Sequence, residues 1–448
     1  TSSSYTIKWS NNSFGNPAGL SSFNNKYLNI SNWSSSWNKT YGSTGNEIIY
    51  SGKETSDHGF VLAGGTDSVG EGDYDLLILK TDANGNHLWN KTYGGTGLDY
   101  AHGIIETSDR GYVVVGLTNS FGAGGYEGWL IKTNSTGGHI WNKTFGDTGD
   151  DYGYDVKETV DGFYIIAAAN DFATAASING WVLKYNSSGS NIWNQTYGGA
   201  GFEYSFFINL VSDGNYVFVG SKTVTAISTY DGWIAKIGSS DGSILWQQTY
   251  DPNNGAVYFN SVHPTRDEGF ILSGAWKPDG INNDAWLIKV NSTGNHVWNY
   301  TFGQSGTSDA AYYAEEANNG DYLFSGYTAS GLGGSSDAYI TRVNSTGSYL
   351  WNVTFGGSGQ DYAWEFQQTE DGTYTIEGFT SSFCSGKNDS LLLKVDAIFN
   401  PVAIDNISWN YYDSEIGTFN ENSIELWNYS AGSWKNTSAF RDITANTL

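Results

Sequence analysis

Methionine is absent from this chain of 448 residues, cysteine occurs once and proline five times. The single thiol, Cys384, excludes an internal disulfide framework and a cysteine-based metal cluster. Charged residues make up only 15%, and basic ones are the scarcer kind. With 21 Lys and Arg against 46 Asp and Glu, the formal net charge is −25, which argues against nucleic acid or an anionic membrane surface as partner. No apolar run approaches the roughly 18–20 residues of a membrane span. Helical 3.6-residue periodicity is missing over any useful length. The chain opens on Thr1 without an initiator, as expected of a mature product whose secretion signal has been removed. An extracellular, cell-surface location is therefore the expectation.

What the chain has instead is glycine (58), tyrosine (31) and tryptophan (18), arranged in a repeat. The phrase "WNKTYGG" recurs with small edits at Trp37, Trp89, Trp141, Trp193, Trp246, Trp298 and Trp351, at intervals of 52 or 53 residues. One unit, residues 99–145, reads as four strands. "DYAHGIIET" precedes a tight turn, "YVVVGLT" is a buried run, a glycine-rich loop leads to "WLIKT", and "NSTGG" turns into "HIWNKTF". Four antiparallel strands in about 50 residues is a propeller blade. The fold expected is all-β, a seven-bladed β-propeller over 37–398, with β-rich extensions at 1–36 and 399–448.

The array starts on a lone fourth strand, "SSWNKTYG", and ends on a third strand, "LLLKV", that has no fourth. These leftovers are complementary. The Trp37 strand is expected to complete blade seven, closing the ring and removing two sheet edges.

The pattern W-N-x-T-[YF]-G-G, D-x-A, T-x-D-G-G-Y, D-x-W-L-I-K resembles propeller repeats of secreted archaeal and bacterial surface proteins. The resemblance covers residues 37 to about 396 and implies location and architecture more than activity. A weaker likeness links Gly85 with Trp89, and Gly137 with Trp141, to the tryptophan-docking repeats of quinoprotein dehydrogenases. That likeness implies a cofactor clamped in part by paired cysteines, and this chain has one cysteine.

Residues present in every blade are best explained by a task every blade shares. Asp75, Glu127, Asn179, Asp231, Asp284, Asp337 and Asp389 precede the third strand, and a lysine or arginine, Lys80 to Lys394, follows each by five residues. Paired, they would fix blade orientation. Acid clusters at Asp67, Glu71, Asp73 and Asp75, and at Asp147, Asp150, Asp151 and Asp155, are candidate Ca²⁺ sites, with solvated loop charge the plainer account. No zinc, nucleophile-elbow or phosphate-loop motif occurs. No cofactor is expected.

Two aromatic sets mark the innermost strands: Tyr100, Tyr152, Tyr204 and Tyr362, then two residues along Tyr50, His102, Tyr154, Phe206, Phe259 and Trp364. Tyr100, Tyr152, Tyr204 and Trp364 are the candidate ligand-stacking residues if they ring the channel mouth, and core if they point between blades.

Sequons are abundant. Six lie on fourth strands (Asn38, Asn90, Asn142, Asn194, Asn299, Asn352) and four on adjacent turns (Asn134, Asn186, Asn291, Asn344). Seven more are Asn11, Asn29, Asn32, Asn388, Asn406, Asn428 and Asn436. A glycan-coated rim is expected. In "YTIKW", Tyr5, Ile7 and Trp9 share one strand face without a partner in the array, and "SIELWNYSAGSWKN" reads as a hairpin. Strand addition between neighbouring molecules would build a filament or layer. The reading is a glycosylated structural subunit that self-associates through its ends. The alternatives are an adhesin using the propeller face for glycan or protein, and a polysaccharide-acting enzyme.

Overall fold

The computed structural model describes residues 37–395, apart from 172–176, 200, 224–229, 253–254, 279–280, 304–305, 330–335 and 385–386, together with strands Trp427–Ser430 and Ser433–Asn436. The chain divides into two units, Trp37–Val395 and the two terminal segments. Within the terminal unit the described element is an antiparallel hairpin, Trp427 opposite Asn436 and Ser430 opposite Ser433. Asn428 and Asn436 lie on it. Tyr5, Ile7, Trp9, Asn11, Asn29, Asn32 and Asn406 lie outside the described residues.

The unit Trp37–Val395 is a seven-bladed β-propeller, each blade a four-stranded antiparallel sheet. Blade one runs Glu47–Glu54, Phe60–Thr66, Asp75–Thr81 and His87–Tyr93 from the channel outward. Blade seven consists of Asp361–Gln368, Tyr374–Thr380 and Asp389–Val395, and its outer strand is Trp37–Tyr41. Trp37 pairs with Lys394 and Tyr41 with Ser390. The ring is closed by the N-terminal strand, as the offset repeat implies.

The second and third strands of each blade are buried on both faces, which is why they read as unbroken apolar runs. The core therefore lies between blades. Val61, Ala63, Leu76 and Ile78 of blade one pack on Ile104, Val114, Trp129 and Ile131 of blade two. Outer strands seal these layers. Trp89 crosses to blade two, where its ring lies 5.9 Å from that of Tyr112, and the Tyr93 hydroxyl donates to the Gly137 carbonyl. A Cβ on Gly137 would sit 2.7 Å from the Trp89 ring, and the residue holds φ at +73°. The Gly–Trp spacing of the sequence thus joins successive blades: each glycine receives the tryptophan of the blade before.

The repeated lysine has a different partner from the expected one. Lys80, Lys132, Lys184, Lys236, Lys289, Arg342 and Lys394 bind Asp57, Asp109, Asp161, Asp213, Asp267, Asp321 and Asp371. These aspartates sit in the turn between first and second strands. Five residues of strand span about 17 Å and reverse the face, so the acid at the third strand's start cannot reach its own lysine. That acid instead packs beside the next inner strand's first acid under a glycine. A Cβ on Gly94 would meet Asp75 at 2.0 Å and Asp99 at 2.7 Å.

The turn clamp is asymmetric, because Lys289 is 2% exposed and Asp267 63%. Asp267→Ala strands a buried ammonium and should cost about 3 kcal/mol. Lys289→Met removes that charge and should cost about 1 kcal/mol. Urea titrations of the two variants check the order.

Candidate functional site

Each of the seven inner strands carries a β-bulge at one height, where the register skips a residue, as between Ile49 and Ser51 and between Ala363 and Glu365. A bulge re-aims its extra side chain. The residues so placed are Tyr50, His102, Tyr154, Phe206, Asn260, Tyr312 and Trp364. Six are rings, and they touch in sequence around the channel. Tyr312 lies 4.1 Å from Trp364 between centroids, Trp364 5.3 Å from Tyr50, and Tyr50 5.4 Å from His102. His102 is 5.5 Å from Tyr154, and Tyr154 5.1 Å from Phe206. At the seventh place Asn260 donates to the Ala311 carbonyl at 2.9 Å. The His102 imidazole meets the Gly153 carbonyl at 2.9 Å, and burial lowers its pKa, leaving it neutral.

This collar corrects one residue and adds another. Phe259 belongs to the blade core, fully buried and stacked on Trp286 at 5.8 Å. Trp246 and Trp298 each stand 14 residues before their bulge and the other marker tryptophans 13, so a fixed offset lands on Phe259 and misses Tyr312.

Above the collar lies the other aromatic set. Tyr100, Tyr152, Tyr204 and Tyr362 are joined by Tyr258, which holds the same register in blade five. All five are half-buried. Four meet a tyrosine of the preceding blade: Tyr74 with Tyr100 at 4.8 Å, Tyr126 with Tyr152 at 6.0 Å, Tyr230 with Tyr258 at 5.4 Å and Tyr327 with Tyr362 at 4.7 Å. Three lie nearly parallel to the collar ring below, with interplanar angles of 19° for Tyr152–Tyr154, 10° for Tyr204–Phe206 and 20° for Tyr362–Trp364. Tyr100 also covers Gly65 of blade one, and Tyr362 stacks on Phe379 of its own blade at 4.9 Å, so these rings share their flat faces with the blade walls beside the mouth.

Below the collar the channel is filled. Phe207 of blade four and Tyr313 of blade six meet edge to face at 5.8 Å, with His263 of blade five against both. Around them sits a charge cluster. Lys53 of blade one binds Glu365 of blade seven, whose Oε2 also accepts the Ser51 hydroxyl at 2.9 Å. Lys157 binds Asp155 at 2.7 Å and lies over the Phe207 ring. Burial raises Asp155 and lowers Lys157, while Glu365 outweighs burial and holds Lys53 above its ordinary value. Glu377, fully buried behind Glu365, is pushed well above the carboxylate range by burial and then by Glu365. Burial lifts Glu315 to about 7. His263 is held well below its usual value by burial, then by Lys157 and Lys53.

No sequence reading singled out this cluster, yet a signal existed. At the position of Glu377 the other blades carry Ala63, Val115, Ala167, Val219, Ser273 and Ser325. A charge where the repeat demands a small side chain is the mark of a non-repeated task.

The acid loops do not converge. Asp67 accepts from the Asn46 backbone and amide, Asp150 from the Tyr126 N–H and Asp151 from the Asp147 N–H, while Asp155 lies in the channel. Among the described residues no group of three or more His, Cys, Asp or Glu side chains could hold a metal ion.

A family model described as outer membrane protein assembly factor BamB matches residues 178–397, just under half of the chain. No curated protein matches it. Among solved structures, one described as the Dos1 propeller aligns with a TM-score of 0.50 at 12% identity, covering 79% of this chain and 94% of that one. Sqt1 from Chaetomium thermophilum aligns at 0.44 and 11%, covering 81% and 100%. A europium-containing methanol dehydrogenase aligns at 0.43 and 10%, covering 76% and 80%. At these identities the likeness concerns the fold alone. No helix among the described residues is long and apolar enough to cross a membrane.

Proposed function

We propose that this chain is an extracellular N-glycosylated propeller, the non-catalytic body of a cell-surface filament or layer joined through its terminal extensions. The observation that carries this reading is the placement of the outer-strand sequons. Asn38, Asn90, Asn142, Asn194, Asn299 and Asn352 are all exposed, each on the free edge strand of its blade. A glycan there projects outward and blocks edge-to-edge pairing of sheets. The repeat's resemblance to secreted surface proteins supports the same location.

The turn asparagines differ. Asn134 Oδ1 accepts from the Thr136 N–H, the Thr136 hydroxyl and the Gly138 N–H, and Asn186, Asn291 and Asn344 repeat the arrangement. In blade one Asp82 does the same work without a sequon. Turn chemistry therefore explains these asparagines. Asn388 is half-buried, and its amide donates to Asn46.

Glycopeptide mass spectrometry of native protein should find the six outer-strand asparagines modified. Bare outer-strand asparagines would overturn the reading.

A further inference from the structure

We infer that the tyrosine-lined mouth of the channel is a binding site for a neutral glycan. This goes beyond the structural role and does not depend on the rim glycans.

Three features carry it. First, the mouth is an aromatic wall with a floor. Tyr100, Tyr152, Tyr204, Tyr258 and Tyr362 stand half-buried above the collar, whose rings, with Phe207 and Tyr313 beneath, close the channel below them. A ligand entering from this side meets a shallow dead end. Secondly, every mouth ring is a tyrosine, coupling a flat apolar face to a hydroxyl. Such rings offer stacking area and hydrogen bonding at small entropic cost, which is what the alternating C–H faces and hydroxyls of a pyranose require. The same register holds Ile48 in blade one and Ala310 in blade six, so packing there does not demand a ring. Thirdly, carboxylates fringe the wall. Asp67 lies near Tyr74 and Tyr100, Asp150 and Asp171 near Tyr152, and Asp171 near Tyr204. They supply acceptors for sugar hydroxyls and repel uronates and sulfates.

The ring arrangement separates a sugar from a cation. A cation cage encloses one point with rings facing it from several sides. Here the rings are spread over five blades, three of them parallel to the ring below, as an extended surface that suits several linked sugar units.

The test is calorimetric titration of the full chain with neutral hexasaccharides (gluco-, manno- and xylo-configured) and with polygalacturonate. Saturable binding of at least one neutral hexasaccharide is expected, and none of polygalacturonate. Tyr152→Ala and Tyr204→Ala should each weaken binding about tenfold, whereas Tyr152→Phe should stay within about threefold, the worth of one neutral hydrogen bond at most. Should an alanine variant melt early, Tyr204→Ile keeps the apolar bulk and should weaken binding as much. Silence from every neutral hexasaccharide at millimolar concentration overturns the inference. So does binding indifferent to Tyr152 and Tyr204, or salt-sensitive binding of a lysine-rich peptide alone.

Discussion

A chain that starts at residue 47, and so lacks Trp37–Tyr41, is expected to lose the monomeric closed propeller. The five-residue strand supplies the whole outer edge of blade seven. Without it the strand Asp389–Val395 presents an unpaired ladder, an invitation to pair with a second copy. Two inter-blade contacts vanish as well. The Trp37 ring lies edge-on to Phe60 at 5.9 Å, and the Tyr41 hydroxyl donates to the Gly85 carbonyl at 2.7 Å. Losing a packed tryptophan alone costs about 3–5 kcal/mol, against a net stability of about 5–15 kcal/mol for a whole domain. The inner contacts between blades one and seven persist, including the Ser51 hydroxyl on Glu365 and the Ser390 hydroxyl on the Glu47 carbonyl. The expected species is therefore a gapped ring that oligomerises, with a urea midpoint far below that of a chain starting at residue 36. Adding a peptide of residues 36–42 should restore the monomer in light-scattering chromatography. A stable monomer from residue 47 onward, indifferent to the peptide, would show that the strand is dispensable.

How the strand finds its place was legible because the repeat is offset from the chain ends, a fact about order that needs no coordinates. The blades were legible for a related reason. Seven copies of one pattern average out the ambiguity of any single short strand, and the doubly buried strands betray themselves as β-branched runs. The channel was harder. Its collar depends on a bulge, a register event with no compositional signature, and one extra residue in two of the seven connections displaces the count at Asn260 and Tyr312. The lysine clamp joins a different aspartate from the one nearest in the strand, because five residues of strand separate and reverse the two side chains. The buried cluster of Lys53, Asp155, Lys157, Glu365 and Glu377 has no signature in the repeat, because its members stand at positions the other blades fill differently. Positions that break the repeat with a charge carry the information that the repeat itself cannot.

Buried carboxyls on the inner strands give the second large expected effect, a stability optimum on the acid side of neutrality. Glu315 titrates at about 7 in the folded chain, raised by burial. Asp151, also raised to about 7, owes its shift first to burial and then to Asp147 and Glu127. An acid whose folded pKa exceeds its unfolded one binds its proton more tightly when folded. Its contribution is complete below the unfolded pKa and is lost as pH rises through the folded one. Between pH 5 and 8 each group should therefore remove on the order of 3 kcal/mol. Glu377 acts in the same sense, protonated in the folded channel.

The turn aspartates oppose this at lower pH. Burial acts to raise Asp57 and Asp109, but hydrogen bonds from Thr55 and Lys80, and from Lys132 and Thr107, hold both down to about 2. Their contribution is present above the ordinary aspartate pKa and is lost as pH falls through the folded value. Being more than half exposed, each counts for only a fraction of its shift. The sum places maximal stability near pH 4–6, and the net charge of −25 steepens the decline above it. Glu315→Gln and Asp151→Asn should each flatten the fall in urea midpoint between pH 5 and 8, and each should exceed the parent chain in stability at pH 8. A midpoint that rises with pH over that range, or amide variants that track the parent at every pH, would mean that these carboxyls ionise freely and that their surroundings are wetter than the packing implies.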